Sequence, residues 1–378
     1  MVQRLCCSEC GKKHAPAQLR WKCDCGGILD LEYENTFEKD MTRGRGFSMW
    51  RYREAIPVSD EKNIVSLEEG FTPLLEYEID GRKILFKQEQ LFSTGSYKDR
   101  GASVLVSKAC ELGVKNAVED SSGNAGASIA AYCARAGIRC DIYVPRDTSS
   151  GKLSQIRLYG ARLHLVPGSR EDTAGAVMEA ADRCYYASHT WNPWFLHGTK
   201  TFAYETAEQL SWKAPDAVVL PAGNGTLFLG AYIGFRELAE KGITDHIPVM
   251  VGVQAEACAP LGKAFREGGR VPAEVKTGET AAEGIAIAKP ARGKQILSAV
   301  RDTGGMIIET GENQIKRAFF EAAAKGFFIE PTSAAVLAGV REYIKTLSRN
   351  KDFSKNCIVS VFTGHGLKAG ERISRWMD

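Results

Sequence analysis

The chain has 378 residues, 44% of them hydrophobic and 25% charged, with 49 basic and 46 acidic side chains. That is globular composition, and the length exceeds what one small core organises, so two domains are expected. The net charge of +3 argues against nucleic acid or an anionic membrane as the main partner. No apolar run approaches the ~18 residues of a membrane span, and the start MVQRLCCSECGKKH lacks the apolar core of a secretory signal.

Five of the 11 cysteines lie in the first 25 residues: Cys6, Cys7, Cys10, Cys23 and Cys25. Cys110, Cys133, Cys140, Cys184, Cys258 and Cys357 are scattered singly and read as free thiols of a reducing compartment, which predicts a cytoplasmic protein. Residues 33–66 are polar and aperiodic, with Gly44, Gly46 and Pro57, and read as a wrapping linker with a short helix. From about residue 84 the pattern predicts strands at 84–87, 117–119, 140–144, 163–166, 217–220, 249–254, 306–309 and 358–362. Helices are predicted between them at 101–112, 125–136, 151–159, 170–183, 201–211, 226–241, 293–302, 312–325 and 333–347. Several end on a glycine suited to a left-handed C-terminal position: Gly113, Gly137, Gly160 and Gly326. This alternation predicts an α/β fold with parallel sheet and helices on both faces, and ligands of such sheets bind where strands end in loops.

Four glycine-rich turns stand at such ends or open a helix. In Ser93-Thr94-Gly95-Ser96-Tyr97-Lys98-Asp99-Arg100-Gly101 a lysine follows a Gly/Ser turn that lets the backbone approach a ligand closely. In Asp120-Ser121-Ser122-Gly123-Asn124-Ala125-Gly126 the free N–H groups of a helix start, with two hydroxyls, suit an amino-acid carboxylate; capping with close packing is the structural alternative. Gly223-Asn224-Gly225-Thr226-Leu227 offers successive N–H groups and a hydroxyl to a phosphate. It is neither a dinucleotide fingerprint, since Phe228 takes the third glycine position, nor a P-loop, since no Gly-Lys-Ser/Thr follows. The fourth turn is Thr363-Gly364-His365-Gly366-Leu367-Lys368. One phosphate cradle without magnesium or dinucleotide features suits a cofactor with a single phosphate.

In this order, over roughly residues 66–370, the segments resemble the fold-type-II pyridoxal-phosphate (PLP) enzymes of the tryptophan synthase β-like superfamily, which include threonine synthase, threonine dehydratase and the cysteine and cystathionine synthases. The 363–368 turn is similar to threonine synthase in particular. So are Lys200-Thr201-Phe202-Ala203-Tyr204-Glu205, with Glu208-Gln209-Leu210 and Trp212 after it, and the Cys-rich start ahead of Gly70-Phe71-Thr72-Pro73-Leu74. The resemblance implies two open, mostly parallel sheets with helices on both faces. It implies a Cys-rich, zinc-ribbon-like appendage at 1–35, a large PLP-binding domain at 36–100 and 196–378, a small inserted α/β domain at 101–195, and PLP in the cleft between the domains.

It also implies roles. Lys98 would hold PLP as a Schiff base and, once released, would serve as general base and acid beside the substrate Cα. Asn124 would bond the ring oxygen; Gly223, Asn224, Gly225, Thr226 and Leu227 would hold the phosphate. Ser96, Ser121, Ser122, Ala125 and Gly126, with Asn124, would bind substrate, chiefly its carboxylate. Thr363 would face the pyridine nitrogen as a neutral partner, which does not keep that nitrogen protonated as a carboxylate does and suits elimination and replacement better than transamination. Cys7, Cys10, Cys23 and Cys25 would close a four-thiolate structural zinc site, with Cys6 as a substitute for Cys7; the Cys-x-Cys half is tighter than the usual spacing.

The chain departs from threonine synthases in the substrate loops. Where the family reads Ser-Thr-Gly-Asn-Thr-Ser, this chain has Ser121-Ser122-Gly123-Asn124-Ala125-Gly126. Where the family has Asn-Ser-Val-Asn-Pro-x-Arg, it has His189-Thr190-Trp191-Asn192-Pro193-Trp194-Phe195, so Phe195 replaces the arginine that would grip a substrate phosphate. Phe195, Trp191 and Trp194 would instead form an apolar wall. Ala282-Glu283-Gly284-Ile285-Ala286 is closer to the dehydratases. The expected activity is therefore elimination or replacement on a small L-amino acid with an altered substrate-phosphate site. A threonine or serine ammonia-lyase, a genuine threonine synthase using O-phosphohomoserine, and a non-catalytic PLP- or zinc-binding protein are the alternatives. The expected partner is a small amino acid, with no nucleic acid and no membrane, in a homo-oligomer such as a dimer.

Overall fold

Strand burial follows side-chain alternation at the N-terminus. In Gln3–Cys7 every second residue points inward, and the strand pairs antiparallel with Lys13–His14 and Leu29–Tyr33. The computed structural model describes residues 3–17, 19–148, 150–168, 170–347 and 356–377. It divides into two compact units, the first comprising residues 1–70 and 92–201, the second 71–91 and 202–378.

In the first unit, Leu5, Cys7, Cys23, Leu29 and Leu31 of the Cys-rich start share one apolar cluster with Met49, Trp50, Ile56, Val104 and Trp194. The same unit holds a four-stranded parallel sheet in the order Arg162–Val166, Arg139–Pro145, Asn116–Glu119, Tyr185–Tyr186. Helix α1 (Lys98–Glu111) is buried on nearly every side from Asp99 to Ala109 and packs between helix α2 (Asn124–Ala136) and a short helix α3 (Pro193–Thr199). Helix α2 stops at Gly137, whose φ of 66° is the left-handed cap predicted for it. Helix α3 was not predicted from the sequence; Asn192 caps it by accepting from the Trp194 N–H, and Pro193 supplies the first turn.

The second unit is built on a six-stranded sheet in the order Met306–Thr310, Val249–Ala255, Ala217–Pro221, Ile358–Val361, Arg82–Lys87, Leu74–Ile79. Only the last pair is antiparallel. The central strands Ala217–Pro221 and Ile358–Val361 are buried throughout, as strands covered on both faces must be. Helix α4 (Thr226–Glu240) follows the Ala217–Pro221 strand, and helix α5 (Pro331–Leu347) packs its apolar side on the sheet around Val251, Val253 and Ile358. No helix among the described residues is long and apolar enough to cross a membrane.

Candidate active site

Lys98 opens α1 and is half-buried. Its Nζ lies 4.8 Å from the ring centre of Tyr97 and 5.6 Å from that of Phe195. The turn before it is anchored by the next residue. The Asp99 carboxylate accepts from the Thr94 N–H at 2.9 Å, from the Thr94 hydroxyl, and from the Ser128 hydroxyl of α2 at 2.7 Å. Gln155 donates to the Thr94 carbonyl at 3.0 Å. One buried carboxylate thus ties the lysine turn to α2. The Ser96 hydroxyl, fully buried in the same turn, has no hydrogen-bond partner among the described residues.

Burial pushes the Asp99 carboxyl up to about 6, against the hydrogen bonds from Thr94 and Ser128. This lies above the ~3.9 of an unfolded aspartate, so between the two values the folded state binds more protons. Stability contributed at this site therefore falls as pH rises through that window. Asp99→Asn carries no such titration. The melting temperature of the parent relative to that variant should rise as pH is lowered from about 7 to about 4; a difference constant over that range contradicts the raised carboxyl.

The 121–126 loop lies flat on the start of α2. A Cβ at Gly126 would sit 1.8 Å from the Ser121 carbonyl oxygen, so only glycine permits this approach. The Ser121 hydroxyl accepts from the Gly123 N–H at 3.3 Å. Ser122 and Asn124 are half-exposed, Gly123 is exposed, and Ala125 is turned inward.

Phe195, fully buried on α3, lies directly over Gly101 of α1: a Cβ at 101 would fall 2.3 Å from its ring. The two helices also touch at Gly198, where a Cβ would meet the Arg100 carbonyl at 2.0 Å. His189 stands 6.0 Å from the Phe195 ring, and its Nδ1 is bonded to the buried Glu119 carboxylate at 2.7 Å. The expected wall of three aromatics does not form. Trp191 stacks edge-on against Trp21 at 5.2 Å, and Trp194 is packed in the cluster of the Cys-rich start, so of these three rings Phe195 is the one placed beside Lys98. Successive positions on a helix point in different directions, which separates 194 from 195.

In the second unit the Ala217–Pro221 strand runs into the glycine turn that starts α4. Gly225, with φ of 75°, caps that helix, and Thr226 is buried. Both glycines are held by contact from behind. A Cβ at Gly223 would lie 2.9 Å from the Gly284 oxygen, and one at Gly225 would lie 2.3 Å from Ile296. Gly284 belongs to a short turn, Glu283–Ile285, and its N–H donates to the Thr332 hydroxyl at 3.2 Å. Thr332 neighbours Ser333, whose Oγ accepts from the Thr363 N–H at 2.8 Å. The glycine turn, the 282–286 segment, the start of α5 and Thr363 therefore form one site. Packing against Gly284 and Ile296 excludes side chains at 223 and 225, and a glycine turn at a helix start is the kind of backbone that receives a phosphate. Glu330 and Ser333 belong to this site and were not singled out from the sequence. The one signal for them was a Glu-Pro-Thr-Ser run at a helix start.

The Sγ atoms of Cys7, Cys10, Cys23 and Cys25 lie within 4.8 Å of one another. Cys7 and Cys25 are 3.5 Å apart, Cys10 and Cys25 3.5 Å, Cys10 and Cys23 3.7 Å. Cys6 is outside this group and points to the Gly11 carbonyl, so it is not the alternative to Cys7. Burial opposes ionisation of Cys7, but the backbone N–H groups of Cys10 and Glu9, together with the Cys25 and Cys10 thiols, bring it down to about 7.

Residues 65–364 match the family model described as "Pyridoxal-phosphate dependent enzyme". The chain is 38% identical to a threonine synthase of Methanocaldococcus jannaschii, over 97% of this chain and 93% of that protein. It is 35% identical to a threonine synthase of Methanosarcina acetivorans, over 97% and 92%. Among solved structures, the processed form of threonine deaminase isoform 2 from Solanum lycopersicum superimposes with a TM-score of 0.71, covering 91% of this chain and 90% of that one, at 20% identity; that likeness concerns the fold alone.

Proposed function

Because this chain belongs to the family of pyridoxal-phosphate-dependent enzymes, we propose that it carries out elimination or replacement on a small L-amino acid, with Lys98 as the residue that binds the cofactor covalently and moves the proton at the substrate Cα. The observation that carries this reading is the placement of Lys98. It is half-buried at the start of a buried helix, in a turn held by Asp99. PLP, when bound, supplies the electron sink for charge developing at Cα. The protein supplies position and proton transfer. Gly223, Asn224, Gly225, Thr226 and Leu227 would hold the phosphate, and Thr363 would face the ring nitrogen. Asn124 would bond the ring oxygen. Ser96, Ser121, Ser122, Ala125 and Gly126 would border the substrate, whose carboxylate meets the N–H groups at the start of α2. The Ser96 hydroxyl, without a partner among the described residues, and the glycine turn that starts α4 support this fit.

The substrate-phosphate grip is altered, because Phe195 is a core residue packed on Gly101. A deaminating lyase acting on threonine or serine is the nearest variant of the same chemistry. The reading of a threonine synthase using phosphohomoserine is favoured by one observation, the 38% identity to a protein named threonine synthase over nearly the whole chain. Steady-state kinetics on phosphohomoserine beside threonine and serine, following phosphate, ammonia and keto acid, separate the three. A protein holding PLP yet inert with every amino acid would contradict the proposal outright.

The four thiolates support a structural zinc site. A tetrahedral Zn–S shell of about 2.3 Å places sulfurs about 3.8 Å apart, close to the 3.5 to 3.7 Å found for three of the pairs. Metal analysis should give about one zinc per chain. Cys23→Ser should lose it and lower the melting temperature, since Cys23 sits in the cluster that includes Val104 of α1 and Trp194 of α3. Metal-free protein with all four thiols freely alkylated under reducing conditions would rule the site out. The 11 free cysteines suit the cytoplasm, and a homodimer is the expected assembly.

A further inference from the structure

Thr363 was read as a neutral hydroxyl toward the cofactor's ring nitrogen, but its own proton is already committed. Its Oγ1 lies 2.7 Å from Oε1 of Glu330 and 3.0 Å from Oγ of Ser333, and Thr363 and Ser333 are fully buried. The direction of these bonds follows from counting. A hydroxyl has one proton and two acceptor positions. The Ser333 oxygen accepts from two backbone groups, the N–H of Thr363 at 2.8 Å and that of Gly364 at 3.4 Å. Its proton is therefore left for Thr363 Oγ1. Thr363 then accepts from Ser333 and donates to the Glu330 carboxylate, which can only accept. One acceptor position remains on Thr363, and no proton.

The carboxylate is held in place by packing as well. A Cβ at Gly364 would overlap the Glu330 carboxyl at 2.4 Å, and the Glu330 N–H donates to the Gly364 carbonyl at 2.9 Å. Gly364 is thus the space that the Glu330 carboxyl occupies.

We propose that Glu330 is a positioning residue that sets the protonation of the cofactor's ring nitrogen: by taking the Thr363 proton it leaves Thr363 able only to accept, so the nitrogen must carry its own proton to bond there. This rests on the proposed function, in which Thr363 faces that nitrogen. The carboxylate's negative charge, one hydroxyl away, favours the resulting cation in a site with little water to screen it. A protonated ring withdraws electrons more strongly from Cα than a neutral one, so the chain combines a hydroxyl partner with the electronic effect of an acidic one.

The test is the nitrogen-15 signal of the holoenzyme reconstituted with ring-labelled PLP, recorded beside Glu330→Gln and Glu330→Asp. The expected wild-type signal is that of a protonated ring. Glu330→Gln, which keeps an amide oxygen for Thr363 but removes the charge, should move it toward the unprotonated position, and Glu330→Asp should move it back in part. A purely structural Glu330 would leave the nitrogen unchanged in every variant that holds cofactor, and that result overturns the proposal, as does a wild-type ring that is unprotonated. Should Glu330→Gln fail to hold PLP, the wild-type signal decides alone. Borohydride fixation of PLP on Lys98 in the same samples keeps the outcomes apart: without it the proposed function fails, and with it only the role of Glu330 is in question.

Discussion

Lys98→Ala is expected to lower turnover of every amino acid substrate by on the order of 10³-fold or more, and to leave PLP bound only noncovalently. Two losses combine in that figure, the covalent anchor and the acid–base group beside Cα. Two buried lysines of the first unit are committed elsewhere. Lys200, fully buried, bonds the Tyr33 hydroxyl, and Lys108 bonds Gln3 at 3.1 Å as well as Glu111. Neither is free to substitute. The variant should fold, because alanine is a good first-turn residue and the Asp99 bonds to Thr94 and Ser128 that hold the turn do not involve the Lys98 side chain. An unchanged melting profile with turnover at the parent level would remove Lys98 from the mechanism.

Phosphohomoserine should be a poor substrate, with kcat/KM at least roughly 10²-fold below that of the best unphosphorylated amino acid. A phosphate dianion needs charge-assisted donors, and arginine's fork serves it best. This chain has Phe195 and Ala125 where the resemblance to threonine synthases implies an arginine and a threonine. Two such contacts, at about 1.5 kcal/mol each at the low end, amount to about 3 kcal/mol, or a factor of roughly 10². His189 does not make up the loss, because its Nδ1 is bound to Glu119, which balances any charge the ring carries. Nor does Phe195→Arg offer a simple rescue. The ring is fully buried on Gly101 and 5.6 Å from the Lys98 ammonium, so an arginine there would be a buried, unpaired charge beside a like one. Phosphate release and threonine formation from phosphohomoserine, with threonine and serine inert, would overturn the altered site and leave a plain threonine synthase.

The parts of this site that were legible in the sequence are those written in local chemistry. Strand, glycine turn and helix start are consecutive in the chain, so the 121–126 and 223–227 turns stand where their motifs put them. What escaped depends on residues far apart in sequence. Glu330 meets Thr363 across 33 positions, and Gly364, placed by its sequence only in a glycine-rich turn, has a distant carboxyl lying against it. Gly101 likewise reads only as the start of the 101–112 helix but is the seat of the Phe195 ring. The edge strand Leu74–Ile79 was missed because only two of its residues, Tyr77 and Ile79, are buried. Its hairpin with Arg82–Lys87 turns on Asp80-Gly81, both at positive φ, which is a local signal that was present and unused.

The most direct test of the central claim is to reduce the purified holoenzyme with borohydride, digest it and locate the phosphopyridoxyl group by peptide mass. A single modified peptide is expected, with the mass on Lys98. Modification on any other lysine, or none in protein that turns over an amino acid, would contradict it.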